Sequence, residues 1–395
     1  MSPGVLDGIR VIDFGRYIAG PYCAALLGDL GAEVIRVERI EGSEDRFLAP
    51  LTPDGDGALF FQCNRGKRGL TLDPSTEGGR EVTRRLVRTA DVVVVNLPAR
   101  ALAGMGIDYE SLVREKPDIV LTHVTAFGKE GPYADRVGFD GIGQAMSGAM
   151  YLSGTPDAPS KSIANYVDFT TAVAAALGTV AALFERAKTG RGQIVEGSLL
   201  GSALTLMNGT LAEQAVLAKD RIGTGNRSQL SGPSDTFRTK DGWVLVQAVG
   251  QPLFERWAEL VREPEWLADA RFSSDVLRGQ NGALLSMRMQ RWCAERTTGE
   301  VLAALDAAKI PAGPVHSPGA ALADPQVRAG GFFVETDYPG LPRSVPVARA
   351  PFHLSGGGVS VRGRAPTLGE HTERILGELG FDADEIAALR RKRAV

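Results

Sequence analysis

Apolar and polar positions in the first part of the chain follow two alternating rhythms, short apolar runs and then stretches with helical spacing. Residues 9–14 (IRVIDF), 34–38 (VIRVE), 91–96 (DVVVVN) and 119–126 (IVLTHVTA) are runs of strand length, 69–73 is strand-like, and 19–30 predicts a helix. Strands joined through crossover helices pair in parallel. A run such as VVVV, without polar alternation, belongs to a strand covered on both faces. The expected fold class is therefore α/β with a doubly wound sheet, which binds ligands beyond the carboxyl ends of its strands.

The character changes at Asp168. DFTTAVAAALGTVAALFERAKTGRG is Ala-rich, carries larger apolar residues at Val173, Leu177, Val180 and Leu183, and ends in charges and Gly190. It predicts a long, mostly buried helix, and 197–218 predicts a second. RIGTGNRSQLSGPSD, rich in Gly, Ser and Asn, reads as a linker and places a domain boundary at 225/226. Beyond it, 237–248 (FRTKDGWVLVQA) predicts a hairpin turning at Asp241-Gly242, with helices over 252–262 and 298–308. The expected organisation is a large domain over 1–225, a small α+β domain over 226–330, and a Pro/Gly-rich return to the large domain over 331–395. The basic run at 390–393 (RRKR) closes the last helix, where cations complement the free carbonyls.

Composition narrows the function. A chain of 395 residues has room for two or three domains and a substantial core. Lys+Arg at 44 against Asp+Glu at 47 leaves no basic excess to track a nucleic-acid backbone. Three cysteines without a CxxC pair predict neither a disulfide framework nor a zinc site, and fit a reducing compartment. Residues 1–8 hold no apolar signal segment, and no run approaches the roughly 18 uninterrupted apolar residues of a membrane span. A cytoplasmic protein without a membrane partner is expected. The four histidines are scattered, so no metal is expected.

Several residue groups could carry chemistry. In IDFGRYIAGPYCAALLGDLGAEVIRVER, glycines at 15 and 20 do not make GxGxxG, and Pro21 offers no amide to a pyrophosphate, so a plain turn explains the stretch better than NAD(P) binding. Asn64-Arg65-Gly66-Lys67-Arg68 clusters three cations that either hold a phosphate or form a solvated turn. Arg39, just past the second strand, could join an anion site. Asp168 precedes a helix with no further charge until Glu185. Local pattern favours a helix cap, accepting amide hydrogen bonds worth about 1 kcal/mol, over an oriented nucleophile. Asp140 and Gln144 are either caps or substrate-facing groups, and His123 sits in an apolar strand as a core histidine does. No GxSxG elbow is present.

Taken in order and spacing, LDGIRVIDFGRYIAGPYCAALLGDLGAEVIRVER, NRGKRGLTLD, VVVVNLPARALAGMGID, GKEGPY, QAMSG, ERAKTGRGQIVEGSLL, FRTKDGW, IPAGPVHSPGAALADPQV and APTLGEHTERIL cover the chain end to end. With them the chain resembles the family III CoA-transferases, a group that includes formyl-CoA transferase, carnitine CoA-transferase and α-methylacyl-CoA racemase. The resemblance implies a Rossmann-like large domain, a smaller α+β domain and an interlocked homodimer. It also implies acyl-CoA and a small carboxylic acid as substrates, with no metal and no nucleotide cofactor, and it makes Asp168 the nucleophile. CoA contacts are implied at Ile18, Ala19, Arg39, Asn64, Arg65, Lys67, Leu72, Asn96, Leu97 and Met105. Arg136, Phe139 and Asp140 match a segment lying against the pantetheine and thioester. Gly250 and Gln251 fall where some members carry a glycine-rich loop that shields the intermediate.

Departures from the family pattern bear on the substrate. Gly138-Phe139-Asp140 stands where the racemase branch has a GHD histidine, so racemisation lacks one of its proton-transfer groups. Ile18 replaces the glutamine of formyl-CoA transferase, and with Phe139 it implies a more apolar pocket than oxalate needs. Gly104 replaces an arginine that some members place before Met105, with Arg100 as a substitute. The competing readings are a racemase, an NAD(P)-dependent oxidoreductase, and a catalytically silent CoA-binding regulator.

Overall fold

The computed structural model describes residues 4–395, so the first three residues of the N-terminal segment lie outside it. Six strands run parallel in one sheet: β1 (Arg10–Asp13), β2 (Glu33–Glu38), β3 (Arg68–Thr71), β4 (Val92–Val95), β5 (Val120–Thr125) and β6 (Ile194–Ser198). Their order is β3-β2-β1-β4-β5-β6. The helices between them are α1 (Ala19–Asp29), α2 (Ala58–Asn64), α3 (Glu77–Arg88), α4 (Ala99–Met105), α5 (Tyr109–Glu115), α6 (Asp140–Met146), α7 (Ala149–Ser153) and α8 (Tyr166–Thr189), and α9 (Leu199–Leu217) follows β6. Side chains alternate faces along a strand. Val92 and Val94 of β4 accordingly pack with α1 and α8, while Val93 and Val95 pack with α3 and the last helices of the chain. The VVVV run is therefore buried on both sides.

β1 pairs with both β2 and β4, so the winding reverses at this point and the two loops beyond β1 and β4 diverge. Asn96 clasps them together: its side chain accepts from the Arg16 amide at 2.6 Å and donates to the Arg16 carbonyl at 2.7 Å. α8 is long and apolar enough by length and composition to cross a membrane, and half of its most apolar window is buried in the protein.

The sixth strand escaped the hydrophobic pattern. Residues 197 and 198, expected to open a helix, complete β6, and the helix starts at Leu199. β6 is an edge strand of half-buried and exposed residues, so it shows no continuous apolar run.

The chain separates into two units. One holds the chain through Ser147, with Ile163–Leu211 and Gly331–Val395; the other holds Gly148–Ser162 and Ala212–Gly330. The boundary drawn at 225/226 followed composition, whereas Gly225 donates to the Gly154 carbonyl at 2.8 Å and so draws both short segments into the second unit. Within that unit β7 (Ser234–Arg238), β8 (Trp243–Gln247) and β9 (Ala312–Pro314) form an antiparallel sheet over a core containing Phe237, Phe254 and Trp257. In the first unit β10 (Phe333–Thr336) and β11 (Val345–Ala348) form a hairpin.

A network of buried charges lies beside the first strands. Lys67 Nζ donates to Asp13 at 2.7 Å, to the Pro21 carbonyl at 2.7 Å and to Asn64 at 2.9 Å. Arg36 pairs with Asp13 and Asp45, Arg46 with Glu38 and Asp56, and Arg65 with Asp29 at 2.6 Å. Burial opposes ionisation of Asp13, yet Lys67 and Arg36 hold its carboxyl below the usual range. Gly66, at φ 68°, turns the backbone so that Arg65 and Lys67 both point inward. A buried ion must be paired, and removing one partner strands the other. Replacing Lys67 with Met is expected to cost about 3–5 kcal/mol in urea unfolding, and a loss under about 1 kcal/mol would contradict this account.

Candidate active site

All six strands point their carboxyl ends toward one cleft of about 1490 Å³, lined entirely by the first unit. Phe14, Arg16 and Tyr17 enter from β1, Val37 and Arg39 from β2, and residues 72–76 from β3. Residues 96–101 follow β4, Thr125 and Ala126 end β5, and Ser198 and Leu199 end β6. Tyr17, at φ 61°, sets its ring edge-on to Phe139 with centroids 5.2 Å apart.

Asp168 stands on the wall of this cleft, and it is not the helix cap that local pattern favours. α8 begins two residues earlier, and its N-cap position, Asn165, makes no side-chain cap bond. The capping carboxylate comes instead from Asp140, the first residue of α6. Its Oδ2 accepts from the amides of Val167 at 2.8 Å and Asp168 at 3.1 Å, while Oδ1 accepts from the Gln144 side chain. Asp140 is buried and does not line the cleft. The Asp168 side chain is consequently left without a hydrogen-bond partner among the described residues. Burial, and then the charge of Asp140, push its carboxyl up to about 7. A carboxylate so placed is poorly solvated, oriented and unpaired, which is what a nucleophile requires.

The other expected contacts divide into two groups. Ala19, Arg39, Leu72, Asn96, Leu97, Met105, Arg136 and Phe139 line the cleft with Asp168. Ile18, Asn64, Arg65, Lys67 and Asp140 do not. Ile18 packs into the core beside α1, so it does not shape the pocket. Neither phosphate seat nor solvated turn describes 64–68: Asn64, Arg65 and Lys67 are consumed by the buried ion network. Gly250 and Gln251 belong to the second unit, where Gly250, at φ 84°, precedes the helix Gln251–Leu260 and donates to Asp275 at 3.1 Å. Gln251 accepts from Arg278. His123 bonds the Leu97 carbonyl at 2.9 Å. Among the described residues no cluster of three or more His, Cys, Asp or Glu could hold a metal ion.

Sequence pattern missed Arg16, Tyr17, Lys129, Lys392 and Arg393, all of which line the cleft. Arg16 and Tyr17 could have been inferred from their place directly after the first strand. Burial and the neighbouring Arg36 lower the Arg16 guanidinium to about 10, and it donates to the carbonyls of Phe14, Gly15 and Val37. Nothing local signals Lys392 and Arg393, because their placement depends on Asp73 donating to the Ala394 carbonyl at 2.9 Å.

A parallel sheet whose strand ends open into a long cleft, with cations along it and one buried carboxyl on its wall, defines an α/β enzyme for an extended anionic substrate. Comparison with known proteins gives that class its family. The chain matches CoA-transferase family III over residues 6–372. It is similar to the succinyl-CoA–D-citramalate CoA-transferase of Chloroflexus aurantiacus, 32% identical over 399 residues and covering 100% of this chain and 98% of the relative. The succinyl-CoA:mesaconate CoA-transferase of Haloarcula hispanica is 33% identical over 386 residues, covering 95% of this chain and 97% of its own. A CAIB/BAIF family protein from Brucella suis superposes with a TM-score of 0.84 at 33% identity, covering 96% of this chain and 100% of its own. The chain belongs to CoA-transferase family III, and its reaction class is CoA transfer.

The unusual titration of Asp168 can be checked directly. In an NMR titration its carboxyl is expected to ionise near 7. Asp140→Asn keeps an oxygen for the two amides and removes the charge, so the midpoint should fall; an unmoved midpoint would contradict the electrostatic role given to Asp140.

Proposed function

We propose that this enzyme moves CoA from an acyl-CoA donor to a carboxylic acid through a covalent aspartyl-CoA thioester on Asp168. The observation that carries this reading is the buried carboxyl on the wall of the cleft, which has no hydrogen-bond or ion-pair partner among the described residues. An Asp168 oxygen attacks the thioester carbonyl and expels CoA thiolate, leaving a mixed anhydride. The thiolate then attacks the Asp168 carbonyl, releasing the donor acid and forming aspartyl-CoA. The acceptor carboxylate repeats the exchange in reverse: it displaces the thiolate to form a second anhydride, and the thiolate takes its acyl group and frees Asp168. Over the whole cycle one thioester is exchanged for another of similar energy, so neither ATP nor metal enters the balance, and covalent capture divides one difficult exchange into manageable steps.

The names of the relatives support succinyl-CoA as donor and a short dicarboxylic acid as acceptor. The half-exposed Phe139 on the cleft wall fits an acceptor with several carbons better than oxalate. A marked preference for oxalate would overturn that assignment. The homodimer is supported by Val173, Leu177 and Phe184 on α8 and Leu206 on α9, apolar side chains left exposed on these helices. Three free, buried cysteines fit a reducing cytoplasm.

Intact-protein mass spectrometry after mixing with succinyl-CoA should show a CoA adduct that hydroxylamine removes. Asp168→Ala should abolish the adduct and lower kcat by at least roughly 10³-fold. An adduct that survives in Asp168→Ala, or turnover without one, would contradict the mechanism. Because the nucleophile must be ionised, kcat/KM in the wild type should fall as pH drops through about 7. A profile flat from pH 8 down to about 5 would contradict that role.

A further inference from the structure

The basic run at the end of the chain, which the helix dipole was expected to absorb, has a different destination. Arg390 pairs with Glu373, but Lys392 and Arg393 line the substrate cleft. They do so at a defined place along it. Asp73, just past β3, donates to Ala394, and Arg393 pairs with Glu41, just past β2. β3 is one edge of the sheet and β6 the other, and α8, which carries Asp168, packs on α1, β5 and β6. Five inter-strand steps separate the two edges, or about 24 Å at about 4.8 Å each. A CoA thioester carries its sulfur at one end and its adenosine 3′-phosphate at the other. With the sulfur at Asp168, the nucleotide end extends toward β2 and β3.

The pair is held on a rigid turn. Ala394 and Val395 are buried in the core beneath the sheet, and the Ala394 amide bonds the Leu389 carbonyl at 2.9 Å. Arg393 takes φ 52°, a left-handed position that glycine or asparagine ordinarily fills after a helix. An arginine there gives up backbone ease and projects a guanidinium into the cleft. Its exposed pair with Glu41, like that of Arg39 with Glu44, is a weak interaction that a phosphate can displace. Lys392 is exposed and has no ion-pair partner among the described residues.

Resting on the CoA-transfer reading above, we propose that Lys392 and Arg393, together with Arg39, form the seat of the CoA 3′-phosphate. The turn sets the forked guanidinium and the ammonium against one dianion, where charge-assisted hydrogen bonds are strongest. The seat binds donor and product alike, so it contributes uniform binding and acts on KM rather than kcat.

The test compares succinyl-CoA with succinyl-3′-dephospho-CoA on the full-length enzyme, alongside calorimetric titration with CoA and 3′-dephospho-CoA. Arg393→Gly suits the left-handed backbone and Lys392→Ala removes an unpartnered side chain, so the double variant should keep its unfolding midpoint. Wild type should prefer the phosphorylated ester by about tenfold or more in kcat/KM. In the double variant KM for succinyl-CoA should rise about tenfold at unchanged kcat, while the dephospho ester changes by less than about twofold, so the preference collapses. Equal losses on both esters, as a pyrophosphate contact would give, or an unchanged preference, would overturn the assignment and leave CoA transfer intact. Absence of CoA binding and of any covalent adduct in the wild type would instead overturn the reading on which it rests.

Discussion

The carboxylate of Asp140 caps a helix on which it does not lie, and the character of the site depends on that bond. By taking the amides of Val167 and Asp168 from α6, it caps the start of α8 and leaves the Asp168 side chain without a partner among the described residues. The same charge, added to burial, lifts the Asp168 carboxyl to about 7. Two acids close together thus divide their work, one tied to the backbone as a cap, the other poised near neutrality. A cap supplied by Asp168 itself would have spent that carboxyl on the backbone.

The rest of the fold makes that arrangement reachable by a long substrate. The sheet reverses its winding between β1 and β4, and Asn96 ties the diverging loops into a fixed floor. Beside this floor, the Asp13–Lys67 and Asp29–Arg65 pairs are withdrawn from solvent. Such pairs add little net stability over apolar packing, but each partner is required by the other, and together they fix how α1, α2 and the first strands meet. Two cations in the cleft are different: Arg39 and Arg393 are exposed and held by exposed glutamates. Burial therefore separates the charges that build the frame from those free to meet a ligand.

Much of the frame is legible in the residues themselves. The IRVIDF, VIRVE and DVVVVN runs mark buried parallel strands because their faces are both covered, and the Ala-rich stretch after Asp168 marks the central helix. β6 is not legible, since an edge strand needs no unbroken apolar run. Asp168 can be singled out as a helix-start carboxylate, but its freedom cannot, because the competing cap lies 28 residues earlier. The NRGKR turn shows the limit of charge pattern: whether a cation faces water or a buried aspartate is decided by partners far along the chain, Asp13 and Asp29. Lys392 and Arg393 are hidden for the same reason. Their neighbour in the cleft is Glu41, some 352 positions away in sequence.

The central claim is that Asp168 exchanges its own oxygen during transfer. In the steps derived above, one Asp168 oxygen leaves with the donor acid and one oxygen of the acceptor carboxylate returns to Asp168 in each cycle. Turnover with an acceptor acid labelled in its carboxylate with heavy oxygen, followed by proteolysis and peptide mass spectrometry, reads this out directly. Label accumulating in the peptide at Asp168, and in no other acidic residue, is the predicted result. An unlabelled Asp168 after many turnovers would show that CoA passes to the acid without a covalent aspartyl intermediate, and would contradict the account.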